Sequence, residues 1–241
     1  MRAFRAWHGI SLEEAQVPAA GFDSFDAFFT RRLQPGARPL DPRPGAVRSP
    51  ADGRIDAMGV IEPGARVHVK GVDYALEELF RDPAGVERLS GGAFVVVYLS
   101  PRDYHRVHLP FDCAIEWVEH VPGARWPVNA LGWRMQPHLL ARNERVVARL
   151  RSEVHGAGYL AMVAAWGVGH IEVVAPPGTP APGSRLDGNP DTTLAAGAEF
   201  GVFHLGSTVV LGVERAEGLA PAVRVGAAVR MGEALWAPEE R

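Results

Sequence analysis

From residue 51 onward the apolar positions fall into short runs rich in valine, isoleucine and aromatic residues. They read "RVHVK", "FVVVYL", "AIEWVEHV", "RVVARL", "YLAMVAAWGV", "HIEVVA", "FGVFHLGSTVVLGV" and "AVRVGAAV", with glycine and proline turns between them. Runs of this length and composition predict β-strands. One helix is predicted around "DYALEELF". Residues 175–193, "APPGTPAPGSRLDGNPDTT", are expected to be an exposed loop, because so many prolines and glycines cannot sustain a ladder. Near the end, "VRVGAAVRMGEALW" has the valine–glycine rhythm of small barrel-sandwich folds. The pattern therefore predicts an α+β protein with a β-rich core, barrel-sandwich-like elements and a short helical N-terminal arm.

The arm comprises residues 1–50. In "SFDAFFTRRL", Phe25, Phe28, Phe29 and Leu33 fall near helical spacing with Arg31 and Arg32 alongside, and "QPGARPLDPRPGAVRSP" follows as a proline-rich extended linker. Seven arginines face five acids here, a local charge of +2. Two readings stand: an amphipathic helix docked on its own domain, or an arm that meets an anionic lipid surface. Residues 51–241 form the main domain.

Composition narrows the function. A chain of 241 residues with 47% apolar content can bury a substantial core, and a net charge of −3 supplies no basic field for nucleic acid. The single cysteine, Cys113, allows no internal disulfide and suits a reducing compartment. No apolar stretch is long enough to span a bilayer, and the first residues lack the apolar segment of a secretory signal. Lys70 is the only lysine, so chemistry that needs a side-chain amine has one candidate.

Three stretches set ionisable or nucleophilic groups beside turns. "SPADGRI" places Asp52 in a Pro-x-Asp-Gly turn, where an aspartate commonly bonds neighbouring amides. "YLSPRDYHRVHLP" carries His105 and His108, which share a face only if the chain turns there, as its Ser-Pro start suggests. No cysteine pair or His-Glu-x-x-His motif points to a metal. The third stretch, "HLGSTVVLG", puts Ser207 at the mouth of a strand directly after Gly206. Serine, histidine and aspartate together suggest an activated hydroxyl, yet the Gly-x-Ser-x-Gly elbow of many hydrolases is absent: residues 205–209 read Leu-Gly-Ser-Thr-Val. The nearest electrophile is the Gly206 carbonyl. Glycine leaves it sterically open, and tethering removes part of the entropic barrier to self-cleavage.

"FDAFFTRRLQPGARPL", "SPADGRI", "VKGVDYALEELF", "YLSPRDYHRVHLP", "RNERV" and "FGVFHLGSTVVL" occur in that order between about residues 22 and 212. The ordered set resembles the phosphatidylserine decarboxylase proenzymes. The resemblance implies that Asp52 orients His108, which removes the Ser207 proton for attack on Gly206. An N-to-O acyl shift and elimination would then give a β chain, 1–206, and an α chain, 207–241, whose first residue becomes a pyruvoyl group. That covalent cofactor is the electron sink for converting phosphatidylserine to phosphatidylethanolamine and CO2. His105 is implied as the proton donor, its ordinary pKa near neutrality suiting the role.

The partners implied are phosphatidylserine, an anionic membrane surface and the paired α and β chains, with self-association into larger assemblies left open. The expected location is peripheral, on the cytoplasmic face of a membrane. Arg102 and Arg106 are candidate partners of the substrate phosphate, with structural salt bridges the alternative. His204, Asn143, Glu144 and Arg145 are expected to be structural. Three other readings stay open: a pyruvoyl decarboxylase of another serine-bearing substrate, a Ser-His-Asp hydrolase that does not cut itself, and an inert lipid-binding module.

Overall fold

The computed structural model describes residues 1–128, 130–166, 170–204 and 207–239. The chain runs through α1 (Arg2–His8), α2 (Phe25–Phe29), β1 (Val47–Arg48), β2 (Gly53–Val60), β3 (Arg66–Val69), β4 (Val72–Ala75), α3 (Leu76–Phe80), α4 (Pro83–Val86) and a 3-10 turn at Glu87–Leu89. It continues through β5 (Ala93–Leu99), β6 (Arg106–His108), β7 (Ala114–Val121), α5 (Ala130–Met135), α6 (Leu139–Arg142), β8 (Arg145–Ser152), β9 (Gly156–Ala164) and β10 (Ile171–Val173). The last elements are β11 (Arg185–Asp187), β12 (Glu199–Phe203), β13 (Ser207–Val213), β14 (Leu219–Pro221), β15 (Ala228–Val229) and β16 (Ala234–Pro238). Strand dominates, so the fold is α+β with a β-rich core, as the hydrophobic pattern predicts.

Eight strands form an open antiparallel sheet in the order β11-β7-β8-β9-β13-β5-β2-β15. Every residue of β9 and β13 is buried, and all of β5 except Tyr98. These strands have neighbours on both edges and cover on both faces, so no position is open to a solvated charge and their sequences are nearly unbroken apolar runs. On one face Phe80 stacks on Tyr159, ring centroids 5.0 Å apart, and Phe80 and Leu89 sit so close over Gly212 that a Cβ there would meet them at 3.2–3.3 Å. On the other face β12 approaches β9 until a Cβ at Gly201 would stand 3.0 Å from the Met162 sulfur. β12 is the middle strand of a second antiparallel sheet, β10-β12-β6. Side chains alternate along a strand, and Val209 is paired with Met162. Ser207, Val209 and Leu211 therefore turn toward the layer carrying β6 and β12, while Thr208 and Val210 turn toward the helical layer.

Several elements depart from expectation for local reasons. In "DYALEELF", β4 takes Val72–Ala75 through its hairpin with β3, and the helix begins only at Leu76. Residues 175–193 are not all loop: the proline-free Arg185–Asp187 pairs with β7 at the sheet rim, where a strand needs only one partner. The Arg185 guanidinium lies 3.9 Å from the Trp117 ring centroid and fixes this edge. Of "AVRVGAAV" only Ala228–Val229 is strand, because Gly226 turns the chain at φ 88°. "FGVFHLGSTVVLGV" is split between β12 and β13, which lie in different sheets.

The first 50 residues are sewn onto the body of the protein. Phe28 and Phe29 are buried, β1 pairs with β16, and the linker's Arg38 bonds Asp52. Asn143 is fully buried and joins three elements: its Nδ2 donates to the Trp126 and Ala164 carbonyls, each at 2.8 Å, and its Oδ1 accepts from the Trp126 amide at 2.9 Å. Arg145 donates to the carbonyls of Glu78, Leu79, Ala141 and Asn143. His105, His108 and His155 are also buried, and burial is the main force holding each below its ordinary value of 6.5.

Two outcomes follow for stability. Asn143→Ala strands buried backbone groups and is expected to cost about 2–3 kcal/mol, measured as a fall in the denaturant midpoint without a change in slope. Folded pKa values below 6.5 for three histidines mean the unfolded chain binds more protons under acid. Their contribution is complete above about pH 6.5 and is lost as pH falls below it. The melting temperature should drop between pH 7 and pH 5, and His155→Phe should flatten that slope; an unchanged slope would show that His155 plays no part.

Candidate active site

Ser207 is the first residue of β13, set between Leu99 of β5 and Ala164 of β9. It is fully buried, and its Oγ has no hydrogen-bond partner among the described residues. The strand end that holds it is itself held, because Asn143 bonds the Ala164 carbonyl. Gly206, expected to carry the attacked carbonyl, lies outside the described residues, as does Leu205.

The 99–108 segment is pinned to the chain around Ser207 at two points. Leu99 faces Ser207 across the ladder, and the His105 carbonyl accepts from the Phe203 amide at 3.0 Å. This brings His105 back beside the serine segment. His105 is fully buried, with the Phe29 ring centroid 4.0 Å from its own. Its Nδ1 donates to the Asp103 carbonyl at 2.9 Å, which leaves Nε2 with its lone pair and no partner among the described residues. Burial, reinforced by the charge on Arg31, pushes His105 down to about 3. The near-neutral value expected from the sequence does not hold, because Phe29 and the surrounding layer exclude water. His105 is a neutral base at pH 7 and donates only a proton it has first received.

His108 and Asp52 are neighbours without a direct hydrogen bond. The His108 amide donates to the Pro50 carbonyl at 2.8 Å, tying β6 to the Asp52 turn. The His108 ring donates from Nδ1 to the Gly197 carbonyl at 2.8 Å and accepts at Nε2 from the Tyr104 hydroxyl at 3.1 Å. Burial pushes Tyr104 up to about 12, so that hydroxyl stays protonated. Asp52 instead takes a bidentate clasp from Arg38, at 2.6–3.1 Å, and the Met231 amide at 2.8 Å. Its negative charge favours protonated His108, but burial outweighs it and the net shift is downward. Gly53 is required beside it, since a Cβ there would fall 2.4 Å from the Tyr98 carbonyl oxygen.

The candidate phosphate partners separate. The side chain of Arg106 is taken up by Glu199 and the Thr30 carbonyl, whereas Arg102 is 67% exposed and lines a cavity of about 710 Å³ that also reaches Arg31, Asp52 and Tyr104. His204 bonds Asp26 of α2 at 2.8 Å, and Asn143, Glu144 and Arg145 form a bonded framework, both in structural positions. Sequence reasoning missed Arg38, Tyr104 and Phe29. Tyr104 sat within a quoted motif, but Arg38 lay in a proline-rich stretch with no periodicity and Phe29 counted only as an apolar helix position.

Comparison with known proteins identifies the family. Residues 25–237 match the family model described as phosphatidylserine decarboxylase. A phosphatidylserine decarboxylase proenzyme of Pseudomonas entomophila is 42% identical, covering 99% of this chain and 88% of that protein. Proteins of the same description from Azotobacter vinelandii and Bordetella petrii are 41% and 42% identical, covering 98% and 96% of this chain and 85% and 84% of theirs. With likeness extending over nearly its whole length, the chain belongs to the phosphatidylserine decarboxylase family.

Proposed function

We propose that this protein is a self-processing decarboxylase that converts phosphatidylserine to phosphatidylethanolamine and CO2, with a pyruvoyl group made from Ser207 as its cofactor. The observation that carries this is the sealed, unpartnered Ser207 hydroxyl at the start of β13, in a family whose members are proenzymes. A hydroxyl kept from water and without a competing acceptor among the described residues suits attack on the adjoining peptide, and residue 207 itself supplies the atoms of the group. A pyruvoyl ketone provides the electron sink that the departing CO2 requires, which no unmodified side chain offers.

The chain's own residues have distinct tasks. Asp52, held by Arg38, sets the field at His108, and His108 serves as base for the Ser207 proton during the cut between Gly206 and Ser207. His105 Nε2 takes up a proton released by the substrate ammonium and returns it to carbon after CO2 has left. Phe29 shields this exchange from water. A second assignment, His105 as base for the cut, is favoured by its unpaired Nε2. Arg102, at the cavity wall, is placed to meet the headgroup.

The proposed organisation is an arm (1–50) and a catalytic domain (51–241), with the cut giving chains 1–206 and 207–241 that stay together. β13 lies between β9 and β5 with every residue buried, so the smaller chain cannot leave without opening the sheet. The location we propose is peripheral, at the cytoplasmic face of a membrane. Among the described residues no helix is long and apolar enough to cross a bilayer. Trp7 of α1 is 86% exposed and Trp166 79%. The helix carrying Trp7 is tied to the end of β12, since Phe4 packs on Phe25 at 4.9 Å, Asp26 bonds His204, and the His204 amide bonds the His170 carbonyl. Such aromatics suit a lipid interface.

Intact mass analysis after denaturation is expected to show two chains, the smaller with a borohydride-reducible carbonyl, and Ser207→Ala to give one full-length chain. A single unmodified chain in active material would refute the proposal. His108→Ala should block the cut, whereas His105→Ala should leave it intact and lower turnover by about 10²–10⁴-fold; loss of cutting in the His105 variant would favour the second assignment. Replacing Trp7 and Trp166 by serine should weaken co-sedimentation with phosphatidylserine-containing vesicles several-fold without altering the cut.

A further inference from the structure

Five arginines line the cavity beside the site, and four of them have carboxylate partners: Arg38 meets Asp52 and Glu14, Arg54 meets Asp56, Arg230 meets Glu14, and Arg102 lies 3.9 Å from Asp103. Arg31 differs. It is 6% exposed, and no carboxylate lies within ion-pair distance of it among the described residues. Its bonds go only to neutral carbonyls: Phe28 at 3.4 Å, Arg102 at 3.0 Å and Asp103 at 3.4 Å. Its buried Nε–H has no acceptor among the described residues. Burial lowers its affinity for the proton more than the charges of Asp52 and Asp103 restore it. A guanidinium buried on these terms is under-compensated, and a cavity wall is where an anion can complete it.

We infer that Arg31 is the receptor for the phosphodiester of the lipid substrate, an assignment that rests on the function proposed above. Position supports it. Arg31 and His105 donate to the same Asp103 carbonyl oxygen, so the guanidinium sits beside the imidazole. Tyr98 and Ser100 of the cavity wall flank Leu99, the residue paired with Ser207. The substrate carries a second anion, its carboxylate, but a guanidinium there would favour the ground state over a transition state losing that charge. The phosphodiester keeps its charge throughout, so holding it anchors substrate and product alike without opposing CO2 release. Arg31 thus governs binding, and its loss should appear in KM rather than kcat.

The test uses the uncleaved Ser207→Ala protein, so binding can be read whether or not the chain decarboxylates anything. Calorimetric titration with phosphoethanolamine is expected to show one site, and free serine to show none. Adding Arg31→Gln should weaken phosphoethanolamine binding about 10- to 100-fold, and Arg31→Lys should weaken it less, because a lysine keeps the charge but loses the fork. Arg66→Gln, at an exposed position on β3, should change nothing. In the self-cleaved enzyme, Arg31→Gln should raise KM by a similar factor and leave kcat within about threefold. Absence of phosphoethanolamine binding to Ser207→Ala overturns the assignment without any Arg31 variant, as does binding that survives Arg31→Gln. Serine binding that depends on Arg31 would move the carboxylate into the site and refute it equally. Failure of the self-cleaved enzyme to release CO2 would instead count against the proposed function.

Discussion

The exclusion of water from the start of β13 governs the rest of the structure. A buried hydroxyl without a partner is costly, of order 1–3 kcal/mol; that of Ser207 has none among the described residues, and neighbouring strands and a second sheet fix its position. The same dryness holds His105 neutral and Tyr104 protonated. Placement of side chains on rigid strands keeps the groups in register without help from solvent. Asn143, far from the chemistry in sequence, contributes by fixing the strand end that Ser207 leans on.

The N-terminal arm belongs to the site rather than being appended to it. Phe29 covers the His105 ring, Arg38 clasps Asp52, and Arg31 shares the Asp103 carbonyl with His105. Through these contacts the N-terminal segment also sets the electrostatics around His105 and Asp52. Exposed Trp7 and buried Phe29 lie on neighbouring helices joined by the Phe4–Phe25 contact.

Much of this was legible in the sequence where a property is local. The apolar runs of β5, β9 and β13 announce central strands because burial on both faces leaves no alternative composition. The serine, histidine and aspartate motifs could be picked out because each pairs a reactive side chain with turn residues. Pairings between distant segments were not legible. Nothing near Asp52 foretells Arg38: the family resemblance implied only that Asp52 orients His108, and the clasp from the arginine joins segments that no local pattern connects. The pKa of His105 depends on a ring from another element, so its ordinary value was a poor guide. β11 was hidden by the prolines and glycines around it, since a rim strand needs only three suitable residues.

The seating of residue 207 also bears on what kind of break the backbone can tolerate there. Plain hydrolysis at that peptide would create a fresh amino terminus at a buried position, where the ammonium form is disfavoured and the group is pushed toward its neutral amine. A neutral keto end has no such penalty. Burial at residue 207 thus favours an uncharged chain end over a charged one for any break made there.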